Sequence, residues 1–148
     1  MNLMLWLRRL GCWLAGGIFL YAGIPKALDP LAFAGSVAAY ELLPYAANLV
    51  VAATLPWVEI VAGIFLVVGW RVRPALLVLI LLDLAFMAAI VSAQLRGLTI
   101  DCGCFRPGAG DSDLITALLR DLLLLGLLLA TWWLLRRESA SPPPEVRP

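Results

Sequence analysis

Four stretches of this chain are each long and apolar enough to cross a bilayer as a helix, and a water-soluble fold of 148 residues has no interior large enough for all of them. A spanning helix needs about 20 largely apolar residues, because the hydrocarbon layer is about 30 Å thick and a helix rises about 1.5 Å per residue. The stretches lie between Arg9 and Lys26, over residues 46–70, over 74–95 and over 113–135. The chain is 63% hydrophobic and 14% charged, against roughly 45–50% and about 25% in soluble domains. The prediction is an all-α membrane protein: a four-transmembrane-helix bundle with the lipid bilayer as its solvent, forming one domain over residues 1–137. The first stretch is short, so Lys26 enters the span or snorkels from it. A cleaved signal peptide is the rival reading of that stretch. Arg8-Arg9 suits one, but the apolar run is long for such a leader and three further spans follow.

Charge placement gives a direction. Arg8, Arg9, Arg71, Arg73, Arg136, Arg137 and Arg147 fall on one side of the spans, whereas Lys26, Arg96 and Arg106 fall on the other. Cytoplasmic loops carry the excess of Lys and Arg, so both termini are expected in the cytoplasm. Aromatic residues agree with that frame. Trp6, Trp13, Trp70, Trp132 and Trp133 lie toward the arginine-rich side, and Tyr21, Tyr40 and Tyr45 toward the other.

Three segments do not span. Residues 30–43 (PLAFAGSVAAYELL) are too short and read as an outer interfacial helix closed by Pro44. Residues 96–112 form an outer loop rich in the turn formers Gly97, Gly103, Pro107, Gly108 and Gly110. The Pro-rich tail, 138–148, is expected to be disordered.

Composition also excludes chemistry. A net charge of +1 offers no basic field for nucleic acid, and the absence of histidine removes imidazole acid–base catalysis and most zinc sites. Cysteines and buried charges are what remain. The outer loop contains Asp101-Cys102-Gly103-Cys104-Phe105. On the outer side a disulfide forms and persists, and Gly103 permits the tight turn that a bridge across one residue requires. Such a bridge is strained, and strained, exposed disulfides tend to be the labile or catalytic ones. A loop this small constrains little of the unfolded chain, so a structural staple is the weaker explanation. Thiol exchange through Cys102 and Cys104 is the preferred reading. A structural disulfide, two free thiols and half of a metal site shared with another chain stay open, although with only Asp101 nearby no metal is assigned. Asp101 would tune a thiol, in the direction of a higher pKa. Cys12 is placed at the opposite face of the membrane and reads as an inert packing residue.

Glu59, Asp83, Arg120 and Asp121 lie inside spans, and Lys26 at the outer end of the first. A charge at mid-bilayer costs about 2.5–3.5 kcal/mol on insertion scales, so each needs a partner. In the second span Ala52, Pro56, Glu59 and Gly63 share one helical face; in the first, Cys12, Gly16, Phe19, Gly23 and Lys26 do the same. Small residues admit a neighbouring helix, so Glu59 and Lys26 both point inward. Arg120 and Asp121 project about 100° apart and are expected not to pair with each other. The expectation is a Lys26/Glu59/Arg120 cluster beneath the outer loop, serving either a binding function or helix register.

The order Gly23…Lys26…Pro30, Tyr40-Glu41-Leu42-Leu43-Pro44, Leu55-Pro56-Trp57-Val58-Glu59 with Gly63, Asp101-Cys102-Gly103-Cys104-Phe105 and Arg120-Asp121 resembles the MauE branch of the MauE/DoxX redox-associated membrane proteins. It covers about residues 10–135; Arg106 stands where the family usually has a glycine after Cys-Gly-Cys-Phe. The resemblance implies an accessory protein of the bacterial cytoplasmic membrane that supports disulfide formation and maturation of an exported client, of the methylamine dehydrogenase small-subunit type. Its electron acceptor would be a quinone or a thioredoxin-like protein. Rivals from other classes are a small-molecule carrier or permease subunit, which would use the charged cluster, and a structural subunit of a membrane complex.

Overall fold

The computed structural model describes residues 3–98 and 114–140. Among these residues there are five helices and no strand: α1 (Leu3–Leu28), α2 (Pro30–Ala39), α3 (Tyr45–Val68), α4 (Val72–Leu95) and α5 (Leu114–Ala140). All but α2 are long and apolar enough to cross a membrane. Val50, Trp57, Leu81 and Leu123 face outward, an exterior that water would penalise and lipid does not. The four long helices correspond to the four expected spans to within a few residues at most ends, and α1 starts earlier and ends two residues beyond Lys26.

Alpha-helix α1 lies against α3 and α5. Trp13 Nε1 donates to the Val67 carbonyl at 3.1 Å, Gly16 faces Gly63 and Lys26 meets Glu59, so α1 and α3 run antiparallel. They touch backbone to backbone. A Cβ added at Gly16 would sit 2.7 Å from the Gly63 carbonyl oxygen, and one added at Gly63 would sit 3.0 Å from that of Gly16. In a bilayer, where apolar side chains gain nothing by leaving the solvent, such close approach is what makes helices adhere. Gly11 faces α5, where an added Cβ would run into the Thr131 side chain. The main core joins Cys12, Ala15 and Phe19 to Leu66, Leu76, Leu79 and Leu128. Cys12 thus packs as a small apolar residue.

The two ends of the bundle differ. At one end α3 stops at Gly69 (φ 78°), whose amide and that of Trp70 bond back to the Leu66 and Phe65 carbonyls. Arg71 follows in a left-handed conformation, φ 50° and ψ 40°, and opens α4. Arg8, Arg9, Arg71 and Arg73 gather here with Leu135, and the Arg136 and Arg137 guanidiniums lie over the Trp132 and Trp133 rings at 5.4 and 3.6 Å. At the other end sits α2, capped by Asp29, whose Oδ1 accepts the Ala32 amide at 3.0 Å, with Pro30 in the first turn. Here the fold departs from expectation. The helix ends at Ala39, not at Leu43, because Glu41 takes a left-handed conformation (φ 51°) that no helix continues. An Arg96 guanidinium N–H donates to the Tyr40 carbonyl and ties the end of α4 to this turn.

Candidate functional site

The glycine seam brings α1 so close to α3 that two ionisable side chains meet inside the bundle. A Cβ at Gly23 would lie 3.2 Å from the Pro56 carbonyl oxygen and 3.3 Å from Glu59 Cβ. One turn further, Lys26 Nζ donates to Glu59 Oε1 at 2.9 Å and to Oε2 at 3.0 Å. Both side chains are 2% exposed, which excludes snorkelling for Lys26. The ammonium also lies 5.3 Å from the Phe33 ring centre and 5.1 Å from that of Phe86. Phe33 of α2 and Phe86 of α4 therefore cover it from two elements, each with the negative face of its quadrupole available to the cation. Phe33 is itself buried, so α2 is a lid inserted into the bundle end as much as a surface helix.

A second pair departs from the sequence reading. Arg120 Nε and Nη2 donate to Asp121 Oδ1 at 3.0 and 2.8 Å. The angle between adjacent Cβ vectors does not keep the two apart, because the guanidinium stands on a long, flexible arm that curls round the helix to reach its neighbour. Both bonds fall on one carboxylate oxygen, so this is not the two-oxygen clasp made by Lys26. The Arg120 side chain stays 33% exposed while Asp121 is 6% exposed.

The expected Lys26/Glu59/Arg120 cluster is thus rearranged. Lys26 and Glu59 are brought together. Arg120 belongs with Asp121, and Asp121 is the α5 charge that acts on both Lys26 and Glu59. Asp83 of α4 is buried and feels Arg120 and Asp121, but its Oδ2 has no hydrogen-bond partner among the described residues. A buried carboxylate oxygen in that position is costly until something meets it. No group of three or more potential metal ligands occurs among the described residues. The remaining expected site residues, Asp101, Cys102 and Cys104, lie outside the described residues.

The sequence reading missed Phe33 and Phe86, the two rings that seal Lys26, and the Arg96–Tyr40 tie. Nothing in an apolar stretch marks which phenylalanine will stand over a cation. Asn48, buried in α3 with its amide donating to the Leu43 carbonyl at 3.4 Å, was missed as well. A lone amide in an otherwise apolar span was the available signal.

A bundle of four helices able to span a membrane, with a lysine–glutamate pair closed inside it under a short helical lid, defines a small polytopic membrane protein organised around buried charge. Residues 3–134 match the family described as methylamine utilisation protein MauE, and the chain belongs to that family. It is similar to the methylamine utilization protein MauE of Paracoccus denitrificans, with 39% identity over 111 residues. That match takes in 74% of this chain and 60% of the relative, so the chain spans less than two thirds of that protein. No solved structure matches the chain.

Proposed function

We propose that this protein is a bacterial inner-membrane accessory of methylamine utilisation whose Cys102–Cys104 pair exchanges disulfides with an exported client. In the reaction, a thiolate of the reduced client attacks the Cys102–Cys104 disulfide and forms a mixed disulfide. A second client thiolate then displaces it. The client leaves oxidised, and Cys102 and Cys104 hold two electrons and two protons. A quinone or the disulfide of a thioredoxin-like protein takes these up and restores the bridge.

One observation carries the reading. Arg96, the residue from which the cysteine-bearing loop departs, is bonded at the α2 end of the bundle, opposite the end where Arg8, Arg9, Arg71 and Arg73 gather. With the arginine end in the cytoplasm, the loop leaves on the oxidising side, where client disulfides are made.

Two measurements test this. In a chain lacking its own cysteines, a single cysteine at Gly108 or Gly110 should react with a membrane-impermeant thiol reagent in intact cells. Labelling only after lysis reverses the orientation and removes the redox argument. Redox titration of the purified protein should give a potential distinctly above the roughly −300 mV typical of structural disulfides, and Cys104→Ser should trap a client on Cys102 as a mixed disulfide. A potential in the structural range with no trapped partner from either single mutant makes the pair a loop staple. A carrier or scaffold role would then take the place of thiol exchange.

A further inference from the structure

The arginine end of the bundle contains a cavity that the redox reading does not use. Its volume is about 590 Å³, within the range of small-molecule sites, roughly 300–1,000 Å³. Arg8 and Arg9 reach it from α1, and Arg71 and Arg73 from the turn into α4 and its first residues. Trp13, Leu66 and Val67 supply apolar wall. No acidic residue is among the described residues that line it. The result is a concave site lined by four arginines and a hydrocarbon wall, at the end of a bundle whose exterior is apolar.

We propose that this cavity binds a phosphate ester, namely the headgroup of an anionic phospholipid. Guanidinium presents five N–H donors in a planar fork, and a phosphate group has several oxygens that accept from more than one fork at once. A carboxylate, with two oxygens, would leave most of the array unused. The cavity is also larger than a bare phosphate needs, and the apolar wall suits the glycerol and first acyl carbons of a lipid. Basic pockets between membrane helices have this ligand chemistry. Arg71 adds a second observation. It holds a left-handed backbone, unfavourable for a residue that carries a side chain, and that conformation sits in the turn that leads into α4, where Arg71 and Arg73 line the cavity. Costly conformations of this kind cluster where a ligand is clamped. The proposal is independent of the cysteine chemistry and of which side of the membrane the arginine end faces.

The test uses the full chain, purified in neutral detergent and offered phosphatidylglycerol or phosphatidylcholine of identical acyl chains, with glycerol 1-phosphate in a third arm. Native mass spectrometry counts retained lipid, and thermal unfolding reports its effect. Wild type should retain phosphatidylglycerol at least about tenfold better than phosphatidylcholine, the scale expected when charge-assisted hydrogen bonds discriminate. R71Q/R73Q should lose that preference, whereas R136Q/R137Q, which removes the same charge from the same end but outside the cavity, should keep it. If R71Q/R73Q does not elute as a folded species, Arg9→Gln, at an exposed position, provides the same reading. Equal losses in the two double variants would reduce the effect to general attraction of anionic lipid to a basic end and overturn the site. Equal retention of both lipids by wild type would do the same. Protection by glycerol 1-phosphate as strong as that by phosphatidylglycerol would make the ligand a soluble phosphate ester and overturn the lipid assignment.

Discussion

The two ion pairs of this bundle are built in opposite ways. Lys26–Glu59 joins residues 33 apart in sequence, on two helices, with both carboxylate oxygens engaged and both side chains 2% exposed. Arg120–Asp121 joins neighbours on one helix, through one carboxylate oxygen, with the arginine side chain a third exposed. Forming the first requires the fold, because only the glycine seam brings α1 and α3 near enough. The second requires only α5. The first therefore reports on tertiary structure, and the second keeps a charged span tolerable in an apolar layer.

The largest expected effect separates them directly. Lys26→Met or Glu59→Gln leaves one partner stranded in the interior and should destabilise the fold by about 3–5 kcal/mol, the usual cost of an uncompensated buried charge. The double variant should recover most of that loss, since replacing both members of a buried pair is often close to neutral. Yield of monodisperse protein and thermal unfolding in detergent would show it. Singles that behave like wild type would mean that the pair does not hold the two helices together.

The seam comes next. Gly63→Ala places a methyl 3.0 Å from the Gly16 carbonyl oxygen, which is backbone and cannot rotate away. Overpacking of this kind costs about 1–3 kcal/mol. Gly17→Ala, one position along α1 and with nothing within 4 Å of the added methyl, should instead gain up to about 1 kcal/mol in helix propensity. Opposite signs in a thermal melt locate the seam; equal shifts would erase it.

Arg120→Gln should cost less, about 1–2 kcal/mol, on the scale of the charge-assisted hydrogen bonds it gives up, because its bonds to Asp121 lie within one helix. A pair that water reaches loses strength at high salt, whereas one sealed from it is screened much less. Melting of Arg120→Gln and Glu59→Gln at 0.05 and 1 M salt would sharpen the contrast. A Glu59→Gln penalty that falls with salt as steeply would show that water reaches Lys26.

The sequence already makes the membrane class legible, because an apolar run of spanning length has few other uses. It also shows that Lys26 and Glu59 face inward, since Gly16, Gly23, Pro56 and Gly63 recur at helical spacing with them. What it hides is set by reach and by turns. The angle between Arg120 and Asp121 is fixed by the helix, but the reach of the arginine arm is not. The left-handed Glu41 that ends α2 at Ala39 belongs to a residue type with no preference for that conformation. Phe33 and Phe86 look like any other apolar residues until the lid closes over the ammonium.

The separation of Lys26 from Glu59 has a consequence for how the chain is made. At about 5–20 residues per second, the ribosome delivers the glutamate some 2–7 s after the lysine. During that interval α1 carries a cation with no counter-ion, at an insertion cost of about 2.5–3.5 kcal/mol if it is placed in lipid alone. Entry is cheapest when α1 waits at the insertion site until α3 arrives and the two cross as a neutralised hairpin, already in register along their glycines. The order of synthesis and the geometry of the finished bundle thus single out the same pair of helices as the first unit to assemble.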